Sequence, residues 1–141
     1  MGYKRPESVL VVVYNTRGEV LMLRRVQPVD FWQSVTGSLE QGETPPVAAR
    51  RELREETGLD IAVVDCRRSC ELKILPAWQH RFAPGTHTNR EHVFIACCEA
   101  PAEIRINTQE HTAYRWLPRA EAAALASSST NRDAILEYVT G

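Results

Sequence analysis

The stretch GSLEQGETPPVAARRELREETGLD, Gly37 to Asp60, places Glu52, Glu55 and Glu56 inside what its residues predict to be one short helix. Thr44 suits the N-cap position. Pro45 suits the first helical position, since its φ is already helical and its missing N–H would have no partner there. Gly58 supplies the C-terminal stop, giving a helix of about thirteen residues. The three glutamates then fall at i, i+3 and i+4 and project from one face. Val47, Leu53 and Ala49 are expected to pack inward beside them.

This distribution of charge is unfavourable for a helix standing alone. Glu52 and Glu56 are like charges at i,i+4, which costs about 0.2–0.5 kcal/mol. Glu55 and Glu56 lie near the negative end of the helix dipole, where an anion is unfavourable by about 0.3–1 kcal/mol. Arg51 offsets part of this through Glu55, whereas Arg50 and Arg54 form a like-charge pair of their own. A solvated surface helix laced with ion pairs is the plainer alternative, but a helix built for stability would carry such acids in its first turn. Clustered carboxylates become favourable when a hard divalent cation sits among them. The charges therefore predict a metal site.

The rest of the chain bounds the setting. Its 141 residues, 43% hydrophobic and 25% charged with a formal net charge of -1, predict one domain with one substantial core. So balanced a charge points to no nucleic-acid partner. The longest apolar run, Val9 to Val13, is too short to span a bilayer, and MGYKRPESVLVVVY does not read as a secretory signal, so the expected location is cytoplasmic. Cys66 and Cys70 lie four apart, and the adjacent Cys97 and Cys98 would point to opposite faces of a strand. Buried free thiols are expected rather than a zinc site.

Along the chain, SVLVVVY (Ser8 to Tyr14) predicts a strand buried on both faces, NTRGE a turn, and VLMLRR (Val20 to Arg25) a returning strand. A short strand is expected around Trp32 to Thr36. Extended structure with a bend is expected from Ile61 to Leu75, and a long loop from Pro76 to Arg90. EHVFIACCE (Glu91 to Glu99), EIRIN (Glu103 to Asn107) and TAYRWL (Thr112 to Leu117) predict further strands. RAEAAALASSS and NRDAILEYV predict two helices, the second N-capped by Thr130 or Asn131. Strands mixed with a few helices indicate an α/β or α+β class.

Gly37, five residues, Glu43, seven residues, then RELREETGL (Arg51 to Leu59) match nine defining positions over 23 residues of the signature of the Nudix, or MutT-like, hydrolases. The chain resembles that family throughout, as a single domain over residues 1–141 with its box at 37–59. The resemblance implies a mixed β-sheet sandwiched between α-helices, with a loop–helix–loop catalytic motif. It implies hydrolysis of a nucleoside diphosphate linked to another group, with Mg2+ as cofactor and Mn2+ as a possible substitute. Glu52 and Glu56 become the principal metal ligands and Glu55 a further ligand or base. Arg51 would orient a glutamate, Gly37 would offer its carbonyl, and Glu43 would brace the loop and Arg51. A phosphoanhydride needs such residues: oxygen ligands suit Mg2+, and a carboxylate left free of the metal can take a proton from water.

VTGS (Val35 to Ser38) stands where most family members resemble Pro-Gly-Gly. With YKRP, LMLRR, DFWQSVTGSLEQGET, HRFAPG and EHTAYRWL, it resembles a bacterial branch of the family that removes pyrophosphate from dihydroneopterin triphosphate in folate biosynthesis. That likeness implies Glu110 as a metal ligand or base from a separate loop. It implies Lys4 and Arg25 on the substrate's phosphates, with Thr36, the segment Leu72 to Leu75 and Ser128 near the ligand. Leu72 and Leu75 stand where aromatic residues would be expected. Trp32 reads as packing rather than a stacking platform, while His80, Arg81 and His111 are candidates to face the pocket. A general (d)NTP pyrophosphohydrolase preferring dATP is the alternative within the class. A non-catalytic Nudix domain sensing a nucleotide or metabolite is the alternative outside it, although such domains usually lose box glutamates. The expected partner is a small-molecule triphosphate, with no nucleic acid or membrane, and the oligomeric state is left open.

Overall fold

A run of valines gives β1 (Glu7–Asn15) apolar side chains on both faces, and it lies at the centre of the sheet in a computed structural model that describes residues 2–140. Val9, Val11 and Val13 join one core cluster, Leu10 and Val12 the other, following the period of two along a strand. The first cluster packs under α1 (Pro45–Thr57) through Ala48, Ala49 and Leu53. The second packs under α2 (Arg119–Leu125) and α3 (Ser129–Tyr138) through Ala122, Ala134 and Ile135. The result is the expected mixed sheet between helices.

Parallel pairing joins β1 to β6 (Thr88–Cys98), and β5 (Val64–Lys73) lies antiparallel on the far side of β6. The other edge of β1 meets two strands in succession. It touches β2 (Glu19–Arg25) at Tyr14 and Val20, and it pairs with β4 (Val35–Ser38) from Ser8 to Val11. Beyond that point β2 pairs with β3 (Trp32–Gln33) and β7 (His111–Pro118). The sheet therefore divides between β2 and β4. Arg25 and Gln33 from one side of the division, and Thr36 and Gly37 from the other, line a common cavity.

Several expectations need correction. Val47 is 59% exposed, and Ala48 joins Ala49 and Leu53 on the inward face instead. Thr44 occupies the N-cap of α1, but its side chain makes no capping hydrogen bond. The strand expected at Trp32 to Thr36 is two strands, broken at the buried Ser34. The bend within Ile61 to Leu75 is a β-bulge, with Arg67 at φ 56 and its N–H donating to the Asp65 side chain. The long loop contains a short 3-10 helix over Pro76–Arg81, and its last three residues belong to β6. EIRIN forms no strand: Ile104 and Ile106 pack against the core, while the Arg105 N–H donates to the Thr57 carbonyl at the end of α1. Alternating apolar residues there mark a buried side, not a ladder partner. Among the four free thiols only Cys98 is buried; Cys97 is exposed on the opposite face, and Cys66 and Cys70 lie half-buried on the edge strand β5. No helix among the described residues is long and apolar enough to cross a membrane.

The C-terminal helices also start and stop differently from expectation, because their polar residues are used in tertiary contacts. α2 ends at Leu125, and Ser127 pairs with Trp32 through its own N–H and hydroxyl. Ser128, not Thr130 or Asn131, caps α3 by accepting from the Asn131 N–H. The Asn131 carboxamide instead accepts from the Ser34 N–H at 2.8 Å and donates to the Ser34 hydroxyl at 2.9 Å. This buried pair pins α3 to the strand break. Asn131→Ala would strand two polar groups of Ser34 and should lower unfolding free energy by about 2–3 kcal/mol in urea titrations. A loss below about 0.5 kcal/mol, the usual scatter of surface changes, would show that the break holds itself.

Candidate active site

One arginine ties α1 to the preceding loop and to β4. Arg51 donates to both oxygens of Glu43 at 2.7 and 2.8 Å, to the Ser38 carbonyl at 3.1 Å, and to Glu52 and Glu55 at 3.1 and 3.2 Å. Glu43 also accepts from the Glu40 N–H, closing the loop before α1. The Arg51 guanidinium holds the Glu43 carboxyl below the usual range. Arg51 and Glu43 thus make the contacts expected of them. Bidentate, charge-assisted bonds of this kind fix direction as well as energy.

Gly37 lies where β4 passes directly beneath Glu52. A Cβ on Gly37 would come within 2.0 Å of the Glu52 Oε2, so no other residue fits without moving the carboxylate. Glu56 is 2% exposed, and its Oε1 has no hydrogen-bond partner. Burial pushes the carboxyls of both Glu52 and Glu56 up, and Glu56 is raised further by the charges of Glu52 and Glu110. The nearest basic group to Glu56 is the ring of His111, at 3.8 Å. Burial pushes His111 down to about 4, so that ring is neutral at pH 7 and supplies no countercharge. Buried charge of this kind is costly unless a cation answers it.

A hard divalent cation fits this donor set, which is all carboxylate and carbonyl oxygen. Among the described residues no three His, Cys, Asp or Glu side chains form a ready-made cage. Family membership, established below, carries the same general dependence on divalent metal.

Beside Glu52 opens a cavity of about 970 Å3. Glu110, Lys4, Arg25 and Thr36 all line it, as do Gly37 and Arg51. Leu72, Leu75 and Ser128 line it as well. Glu55 does not reach the lining; its side chain is half-exposed and tied to Arg51. Arg81 lines the cavity, whereas His111 is core and His80 lies outside the lining. Trp32 packs against the core cluster under α2 and α3, as expected.

Lys4, Arg25 and Arg81 form a cationic patch. Burial, then the Arg81 charge, push both Lys4 and Arg25 down. The Lys4 N–H donates to the Arg81 carbonyl at 2.7 Å, and the Arg25 guanidinium lies 5.1 Å from the Trp78 ring centre. Among the described residues none of the three is in an ion pair. Converging cations with no carboxylate in contact favour an anion between them.

Sequence reasoning missed the far wall. Phe31, Trp78 and Phe82 supply the aromatic surface that Leu72 and Leu75 lack. Gln33, Glu91 and Asn131 supply polar groups. Phe31, Gln33 and Phe82 fall in stretches that carry the resemblance, and Trp78 in the long loop, but no local pattern assigns any of them to the cavity. Glu91 in particular reads as a solvated acid at a strand end.

Known proteins are similar to this chain in sequence and fold. The NUDIX domain profile matches residues 4–138. The dihydroneopterin triphosphate diphosphatase of Escherichia coli K12 is 48% identical over 143 residues, 97% of this chain and 94% of that protein. The enzyme of the same name from Haemophilus influenzae is 41% identical over 145 residues, 99% of this chain and 90% of that one. The solved structure of the E. coli dihydroneopterin triphosphate pyrophosphohydrolase superposes with a TM-score of 0.92 at 45% identity, covering 99% of this chain and 98% of that chain. With the box, the fold and the profile in agreement, the chain belongs to the Nudix family.

Proposed function

We propose that this protein is a Mg2+-dependent pyrophosphohydrolase that converts dihydroneopterin triphosphate to dihydroneopterin monophosphate and pyrophosphate. One observation carries the reading: a single cavity joins Glu52 of α1 to Glu110, to the cationic patch and to the aromatic side chains of Phe31, Trp78 and Phe82. The named relatives, alike over nearly the whole chain, support the substrate.

In this reading Glu52, Glu56 and the Gly37 carbonyl would hold Mg2+, with Mn2+ able to replace it, and Glu110 would serve as a further ligand or as the base. The ion neutralises phosphate charge and acidifies a bound water. Lys4, Arg25 and Arg81 bind the triphosphate, and Thr36 and Ser128 border it. Arg51 positions Glu52. Glu110 and Glu55 are the candidates to take the water's proton, and Glu110 is favoured because it lines the cavity. Leu72, Leu75 and Trp78 flank the ring.

Metal dependence follows from the uncompensated Glu56. EDTA should abolish turnover and Mg2+ restore it. Glu56→Gln should lower kcat by at least about a hundredfold, about 2.7 kcal/mol, while thermal unfolding in EDTA shifts upward as buried charge is removed. A folded variant with near-normal turnover would defeat the assignment.

Glu110→Gln should lower kcat far more than it lowers stability, because an exposed loop acid contributes little to the fold. If Glu55 is the base instead, Glu55→Gln will show the larger loss, and Glu110 kinetics within about threefold of wild type would remove it from the chemistry.

Substrate choice is read from paired assays. We expect kcat/KM for dihydroneopterin triphosphate to exceed that for dATP by at least about tenfold. Pyrophosphate should be the released product, and oxygen from 18O-labelled water should appear in only one product. Equal efficiency on both substrates would favour the general (d)NTP enzyme, and release of inorganic phosphate would exclude this branch.

A further inference from the structure

We propose that Glu91 is the specificity-determining residue of this site, its carboxylate reading the adjacent ring N–H and 2-amino donors of a 2-amino-4-oxo-pyrimidine edge. The inference deepens the proposed function and rests on the cavity being the base site of a triphosphate hydrolase.

Position is the first argument. On β6, Glu91 precedes Val93 and Ile95 on the face covered by α2 and α3, in register with Ser8 of β1. An apolar residue would extend that packing, whereas a glutamate must be desolvated to sit there. Glu91 is 7% exposed, and it lines the cavity beside Ser8, Asn89 and Ser128. Burial pushes its carboxyl up, and the hydrogen bond from Thr130 pulls it back toward the charged form.

Its partners are the second argument. The Thr130 hydroxyl donates to Oε1 at 3.0 Å and is itself 3.0 Å from the Ser128 hydroxyl. This chain at the start of α3 fixes the carboxylate, and among the described residues no side chain donates to Oε2. A carboxylate offers about four acceptor positions, so most of its capacity is unused. Asn89 adds to the imbalance: its amide donates to Ser8 at 2.7 Å, and its Oδ1 has no partner. The oxygens that Glu91 and Asn89 leave without a side-chain donor are both acceptors.

The missing donors define the ligand. A pterin or guanine edge presents a ring N–H next to an exocyclic amine, which suits one carboxylate. Adenine presents an amine next to an acceptor nitrogen, which would face the carboxylate lone pairs. A site built to bond a particular donor rejects the analogue lacking it, because its own buried group is left unpaired.

Two comparisons test this. Glu91→Gln keeps the size but turns one acceptor into a donor, and it should shrink the ratio of kcat/KM for dihydroneopterin triphosphate over dATP by at least about tenfold. An unchanged ratio, or an equal fall on both substrates, would overturn the proposal. The wild-type arm of the second comparison needs no variant: dGTP and dITP differ by the 2-amino group alone. Wild type should favour dGTP by about tenfold, and Glu91→Gln should lose that preference. Equal efficiencies of wild type on dGTP and dITP would also overturn it. If wild type instead favours dATP over the pterin, the proposed substrate fails, and the dGTP and dITP pair still decides the role of Glu91.

Discussion

A carboxylate buried without a protein cation is the constraint around which this molecule is arranged. Glu56 lies in the core with an unpartnered oxygen, facing a neutral histidine and a second partly buried glutamate. Everything near it prevents the easy escapes. Arg51 is committed to Glu43, Ser38, Glu52 and Glu55, so it cannot swing inward to neutralise Glu56. Gly37 allows β4 to press against Glu52, so the acidic pair is held rather than relaxed into solvent. A divalent ion and a polyanionic substrate bound as proposed would relieve this strain.

The division of the sheet matters as much as the helix. Had β1 and β2 remained paired along their full length, the space beside Glu52 would be ordinary core. Because β4 replaces β2 against Ser8 to Val11, the diverging strands leave a cavity between two rigid edges. Residues from the chain start, the 3-10 helix and the loop before β7 converge there on opposite signs of charge. Glu52 and Glu110 share the cavity with Lys4, Arg25 and Arg81 without forming ion pairs with them at contact distance, an arrangement that would suit the proposed metal and phosphates. Pre-placed groups of this kind cost little reorganisation when charge develops during reaction.

The α3 segment serves stability and recognition together. Asn131 locks Ser34 at the strand break, and one residue earlier Thr130 orients Glu91. Ser128 caps the helix and touches the same hydroxyl chain. A helix that closes the core on one side therefore also builds the polar wall of the cavity on the other. Changes in this segment should be read in assays of folding and of substrate choice together.

What the sequence determined by itself is what short-range periodicity can encode. The valine run of β1 carries its burial on both faces because alternation maps directly onto the two sides of a sheet. Pro45 and Gly58 bound α1, and the spacing of Glu52, Glu55 and Glu56 puts them on one face whatever surrounds them. The spacing of the box also named the family. Tertiary structure alone decided the rest. Glu91 lies far from the box in sequence and meets Gln33 and Phe31 in the cavity only through parallel pairing of β1 with β6 and the departure of β2. EIRIN has a strand's pattern and no partner, since backbone pairing depends on which edge is free. Thr130 and Asn131 are good caps that do not cap, because buried carboxyl and amide groups elsewhere bind them first. Local sequence specifies which side chains share a face; only the packed chain specifies what that face meets.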